Sequence, residues 1–162
     1  NLTGANLTGA NLTSANLTSA NLTSANLTSA NLTGANLRDA NLTGANFTSA
    51  TLAGVRSGGI TGTPTALPTD YQITGNGYTD GYLIGPGVNL TGVNLAYLNL
   101  TGVNLTDANL TGARIFGVNL TGANLTNTNL TGASFENGSV LTGVIWSNTT
   151  CPNGVVQSTP CA

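Results

Sequence analysis

Two cysteines, Cys151 and Cys161, bracket a Pro152-Asn153-Gly154 segment near the end of the 162-residue chain, and no other thiol is present. A disulfide, a pair of free thiols and half of a metal site are the three chemistries open to them. The metal reading lacks partners, since a tetrahedral site needs four ligands and the chain has no histidine. A disulfide closing this short loop is the expected outcome, contributing roughly 3 kcal/mol chiefly by restricting the unfolded end. The second group with recognisable chemistry is Arg56, Tyr71, Tyr78 and Tyr82, in the most aromatic stretch of an aromatic-poor sequence. Guanidinium and phenol groups anchor protein contacts, so these four form a candidate interaction loop. The alternative is that Leu67, Tyr71 and Ile73 pack against the body and protect it. Catalysis requires a positioned acid, base, nucleophile or metal. Asp39, Asp70, Asp80, Asp107 and Glu136 are scattered, and Arg38 beside Asp39 reads as a surface pair. No catalytic residue, cofactor or metal set is expected, and the chain is not read as an enzyme.

The elements that hold these residues are written in a five-residue unit, most often Ala-Asn-Leu-Thr-Gly or Ala-Asn-Leu-Thr-Ser. Its central Leu recurs eleven times from Leu2 to Leu52 and ten times from Leu90 to Phe135. A helix would carry that Leu around its axis by about 140° per unit, and Asn, Thr, Ser and Gly are poor helix formers. In an extended segment the Ala and Leu of Ala-Asn-Leu, two apart, point to one side while Asn points to the other. The next two residues must then turn the chain. Gly4, Gly9, Gly34, Gly44, Gly92 and Gly102 suit the third place of a type II turn, which needs a positive φ. Ser14 to Ser29 occupy that place without glycine, so a different turn type is expected there. Units that always bend the same way wind into an all-β solenoid whose coils bury each other's apolar side chains. The core stack is expected to contain Leu2, Leu22, Leu42, Phe47, Leu90, Leu110, Leu130 and Phe135.

One domain spans 1–162. It divides into a first repeat block at 1–54, an interruption at 55–87, a second block at 88–146 and a C-terminal cap at 147–162. Leu52 and Leu90 are 38 residues apart, which is out of register with a period of five, although Leu83 is in frame with Val88. One residue is inserted after Phe135, so Leu141 and Trp146 take the next central places and Trp146 covers the end of the apolar column. The repeat starts at the first residue, which implies a longer precursor. Its uncovered first coil suggests either a further covering segment or end-to-end pairing with another copy.

The Ala-(Asn/Asp)-Leu-x-x unit resembles that of the pentapeptide-repeat family. The resemblance implies a right-handed quadrilateral β-helix with about twenty residues per coil. It would stack Leu2, Leu22 and Leu42 in one column and Asn1, Asn21 and Asn41 in a ladder outside, through which hydrogen bonds pass from coil to coil. The phrases at 54–64 and 81–87, and the Trp-Ser-Asn-Thr-Thr-Cys-Pro ending, are similar to those of exported cyanobacterial members. Some members resemble duplex DNA and inhibit topoisomerases. That mimicry requires rows of acids, whereas the outward places here carry Asn and Thr.

Three arginines against five acids give a net charge of −2, without a basic footprint for nucleic acid or a polybasic membrane patch. No apolar run approaches the length of a membrane span. A disulfide together with more than fifteen Asn-x-Thr/Ser patterns favours a bacterial periplasm, thylakoid lumen or secreted location. The expected role is a non-catalytic rod that makes protein–protein contacts or self-assembles, with its protein partner unidentified. A Thr array that binds ice or ordered water is the alternative, and topoisomerase inhibition ranks below both.

Overall fold

The computed structural model describes residues 1–75, 81–135 and 138–161. Tyr78, Asp80 and Glu136 lie outside the described residues. The chain is a β-helix: isolated parallel bridges join each outward residue to the one twenty places on, from Asn6–Asn26 to Asn46–Ala66. No helix is found among the described residues.

The unit Asn41–Ala45 shows why five residues suffice. Asn41 N–H donates to Ala20 of the previous coil at 2.9 Å, and Leu42 and Gly44 donate to Thr61 and Thr63 of the next at 2.9 and 2.8 Å. Ala45 N–H closes the turn on Leu42 C=O at 3.0 Å. The remaining donor, Thr43 N–H, points into the turn, where Asn41 Oδ1 accepts it at 3.0 Å and the Thr43 hydroxyl at 2.6 Å. Every N–H of this unit is therefore paired. The side-chain oxygen of Asn serves its own turn and not a ladder across coils. Only the backbones of the Asn residues stack in the way the resemblance implied.

The Ser units make the same turn as the Gly units, contrary to the sequence expectation. Ser14, Ser19, Ser24 and Ser29 adopt φ of 56–57°, beside 65° at Gly4. Ser14 N–H still bonds Thr33 C=O at 2.8 Å, so the coil-to-coil register holds Ser in a left-handed conformation that its Cβ disfavours.

Inside, Leu22, Leu42, Phe47, Leu90, Leu110 and Leu130 are buried, while Leu2 and Phe135 are partly buried against the same cluster. The repeat wording stops at Val55, but the coil does not: Arg56, Thr61 and Ala66 still pair with Asn36, Asn41 and Asn46. The chain then leaves the coil. It forms an antiparallel hairpin of β1 (Gln72–Thr74) and β2 (Tyr82–Ile84), and returns so that Asn89 pairs with the far side of Arg56. This enlarged coil is thirty-three residues long instead of twenty, which explains the register break. Its central places carry Ser57 and Gly62, too small to fill the interior. Tyr82, Leu83 and Ile84 of β2, all buried, join the core there, and Leu83 N–H donates to the buried Ser57 Oγ at 2.9 Å.

Beyond Ser134 the separation becomes twenty-one, as in Asn119–Val140 and Asn124–Ile145, so Leu141 and Trp146 follow the outward residues in the central places. Trp146 is buried, with its ring 6.4 Å from Phe135. Strands β3 (Thr149–Thr150) and β4 (Val156–Gln157) pair antiparallel beyond it, and the Cys151–Cys161 disulfide closes the end.

Leu42→Ala should lower unfolding free energy by about 3 kcal/mol through a cavity in the column. Asn41→Ala should lower it by about 1 kcal/mol, and Asn41→Asp, which keeps an acceptor, by less. Urea unfolding followed by circular dichroism measures all three, and equal losses for Asn41→Ala and Asn41→Asp would contradict the turn-acceptor role.

Candidate functional site

The loop residues singled out from the sequence separate in the structure. Arg56 is exposed on the side of the coil, between Asn36 and Asn89. Tyr71 instead lies half-buried across Gly85, where a Cβ would overlap its ring, and its hydroxyl donates to Pro86 C=O at 2.6 Å. Burial raises the Tyr71 pKa above its ordinary 10.0. Tyr82 is buried against Gly58. These two tyrosines seal the seam between hairpin and coils instead of projecting to solvent with Arg56, because two central places of the enlarged coil, Ser57 and Gly62, carry no apolar side chain. Leu67, Tyr71 and Ile73 all pack on the core, and Asn104 Nδ2 ties Asp70 to the second block at 3.1 Å.

Arg56 has a neighbour that sequence reading treated only as half of a surface pair. Arg38, Arg56, Asn89 and Thr91 line a cleft of about 190 Å³, and Arg38, Asp39, Ser57, Gly58, Tyr82, Gly92, Val93 and Asn94 line an adjoining one of about 280 Å³. The signal was available: coils of twenty residues place Arg38 and Arg56, eighteen apart, on one side. None of the residues lining the smaller cleft is a nucleophile or general base at neutral pH, and its chemistry is hydrogen-bond donation and positive charge. Among the described residues no group of His, Cys, Asp and Glu is placed to hold a metal, and no helix is long and apolar enough to cross a membrane.

A second surface feature also escaped the sequence reading. Tyr97 occupies the place that Gly or Ser holds in most units, adopts φ of 62° and is 70% exposed. It meets Phe116 edge-on at 5.0 Å and covers Gly117. A bulky residue with positive φ is a genuine outlier, and such strain clusters at functional positions. The clue lay in an aromatic residue written where the turn demands φ > 0.

The family profile described as pentapeptide repeats matches residues 1–34, 25–56, 87–122 and 114–148. The chain belongs to the pentapeptide repeat family. The unmatched stretch between 56 and 87 contains the hairpin excursion, and the match ends before β3. Proteins of this family are generally structural folds and not catalysts. Among solved structures, a pentapeptide repeat protein from the cyanobacterium Cyanothece 51142 is 28% identical, with a TM-score of 0.34 over 81% of this chain and 63% of that one. This pentapeptide repeat protein thus spans less than two thirds of that relative's length. QnrB1, a plasmid-mediated fluoroquinolone resistance protein, is 18% identical over 86% of this chain and 78% of that one, with a TM-score of 0.38. A thylakoid-lumen pentapeptide repeat protein from Arabidopsis thaliana is 24% identical over 85% and 66%, with a TM-score of 0.25. No curated protein matches by sequence.

Because neutral Tyr71 is favoured in the folded state, its contribution is fully present below pH 10 and declines as pH rises past the unfolded value. Urea midpoints measured from pH 8 to pH 11 should fall less steeply in Tyr71→Phe than in the parent, and parallel profiles would exclude this coupling.

Proposed function

We propose that this chain is a non-catalytic rod whose sides dock a protein partner or further copies of itself. We read its coils as right-handed and four-sided, four five-residue units to each twenty-residue register step. The observation that carries the docking role is Tyr97: a large side chain held at positive φ and 70% exposed, the most exposed of the large hydrophobic residues described. Packing alone does not account for an aromatic ring at a corner where Gly stands in the neighbouring units. Aromatic side chains are enriched among the anchors of protein contacts. The Cys151–Cys161 disulfide supports an oxidising, extracytoplasmic compartment, whether periplasm, thylakoid lumen or cell exterior.

The Thr rows support ice binding less well, because in the regular units each Thr hydroxyl already donates to the Asn of its own unit, as at Thr23 and Thr43. Topoisomerase inhibition by DNA mimicry has no acidic rows to work with among the described residues. The charged outward places in the second block include Asp107, which accepts from Asn127 Nδ2 at 2.9 Å, and Arg114.

Tyr97→Gly should leave stability within about 1 kcal/mol of the parent, because relief of the left-handed strain offsets the lost ring contact. Light scattering across a concentration series, with crosslinking of the native complex, should show an assembly that this variant weakens. A parent chain that is monomeric throughout and crosslinks to nothing would end the proposal.

A further inference from the structure

Two of the chain's three cations meet in one cleft, although nothing in the repeat requires a cation at either place. Arg38 stands where most units carry Thr, and Arg56 where most carry Asn. Asn36, Arg56 and Asn89 are bridged in succession, so the two guanidiniums come from adjacent coils about 4.8 Å apart. Both are exposed, and neither makes an ion pair or a side-chain hydrogen bond among the described residues. Like charges held on neighbouring coils repel unless an anion lies between them.

The rest of the cleft strengthens this polarity. Asn89 Oδ1 is already occupied by Thr91, which donates its N–H at 3.1 Å and its hydroxyl at 2.7 Å. The Asn89 amide nitrogen is therefore left as a further donor, and the oxygen that would oppose an anion is engaged. The nearest acid, Asp39, has its carboxylate against Gly59 and lines the adjoining cleft, not this one. Arg114, the third cation, is bridged to Asn94 and Ser134 on a different side, so the charge forms a spot and not a track. A nucleic acid requires a track of cations. Two planar guanidinium forks match the geometry of carboxylates, which they bind through paired hydrogen bonds.

We propose that Arg38 and Arg56, with Asn89 Nδ2, form a docking site for the carboxylates of an acidic protein segment. This deepens the docking role proposed above and rests on it. The site lies beside Gly92, Val93 and Asn94, on the same run of chain that leads to Tyr97.

The test uses the full chain and a short acetylated Glu-rich peptide, its Gln counterpart and inorganic phosphate, followed by fluorescence anisotropy at low and physiological salt. Arg38→Thr and Arg56→Asn restore the residues that the repeat carries elsewhere, so the fold is retained, and Arg114→Asn is the control. The Glu peptide should bind, weaken with salt, and lose about tenfold or more in affinity in the double variant, with no change in Arg114→Asn. The Gln peptide should not bind. Absence of Glu-peptide binding, equal binding by the double variant, or capture of phosphate without the peptide would each overturn the assignment. An assembly that persists in the double variant and still depends on Tyr97 would retire the arginine site alone and leave the docking role intact.

Discussion

The regular part of this fold depends on pairing five backbone donors in five residues. Three of them reach neighbouring coils and one closes the turn, which leaves the N–H after the central Leu facing into the corner, where no other coil can reach it. The Asn carboxamide two residues earlier is the acceptor that completes the set. The recurrence of Asn in the regular units follows from that pairing, whereas the period and the left-handed turn persist at Gly54 and Gly117, in units that have no Asn. The corner is exposed to water, so the Asn oxygen pairs this donor and fixes the turn in the regular units, while the units with Thr51 or Arg114 in the Asn place fold without it. The Thr hydroxyl shares the same oxygen, which explains why Asn-Leu-Thr travels as a block.

That requirement also decides which irregularities are tolerated. Ser at the turn is strained but keeps its N–H on the next coil, so it conforms to the stack instead of changing the turn. Thr128 and Thr149 replace Ala inside the column, and each buried hydroxyl donates to a backbone carbonyl, Leu105 at 2.7 Å and Leu125 at 2.8 Å. Ser57 is accommodated by accepting Leu83 N–H. A polar side chain can enter this interior when it brings a partner, and the hairpin enters beside Ser57 and Gly62, the two central places without an apolar side chain.

The solenoid was legible from Leu2 to Leu52 and from Leu90 to Phe135, because alternation and period reflect burial directly. What could not be read were features set by contacts between coils. Arg56, Thr61 and Ala66 look unlike the repeat, yet they keep its register, since backbone bonds to Asn36, Asn41 and Asn46 are indifferent to side chain. The Asn residues suggested a ladder because their spacing does not say which neighbour the carboxamide faces. Tyr71 and Tyr82 were grouped with Arg56 by proximity in sequence, whereas the core deficit at Ser57 and Gly62 draws them inward. The pairing of Arg38 with Arg56 needed the coil length, and Tyr97 needed the turn geometry.

A nearly uncharged rod gives its few charges unusual weight. On an ordinary surface, acids and bases are interspersed, and neighbouring counter-charges blunt any two arginines. Here the carboxylate of Asp39 rests on Gly59 and borders the adjoining hollow, which Arg38 also lines, while no acid lines the cleft of Arg38, Arg56, Asn89 and Thr91. The field of the Arg38–Arg56 pair therefore meets one opposing charge, Asp39 on the Arg38 side, and otherwise extends over Asn and Thr, limited mainly by salt. The regular faces carry neither attraction nor shape to distinguish one coil from the next. On the docking role proposed above, recognition would come from places where the repeat is broken. The enlarged coil and the strained Tyr97 corner, which follow one another along the chain, supply both a charge and a ring at the point where the two repeat blocks join.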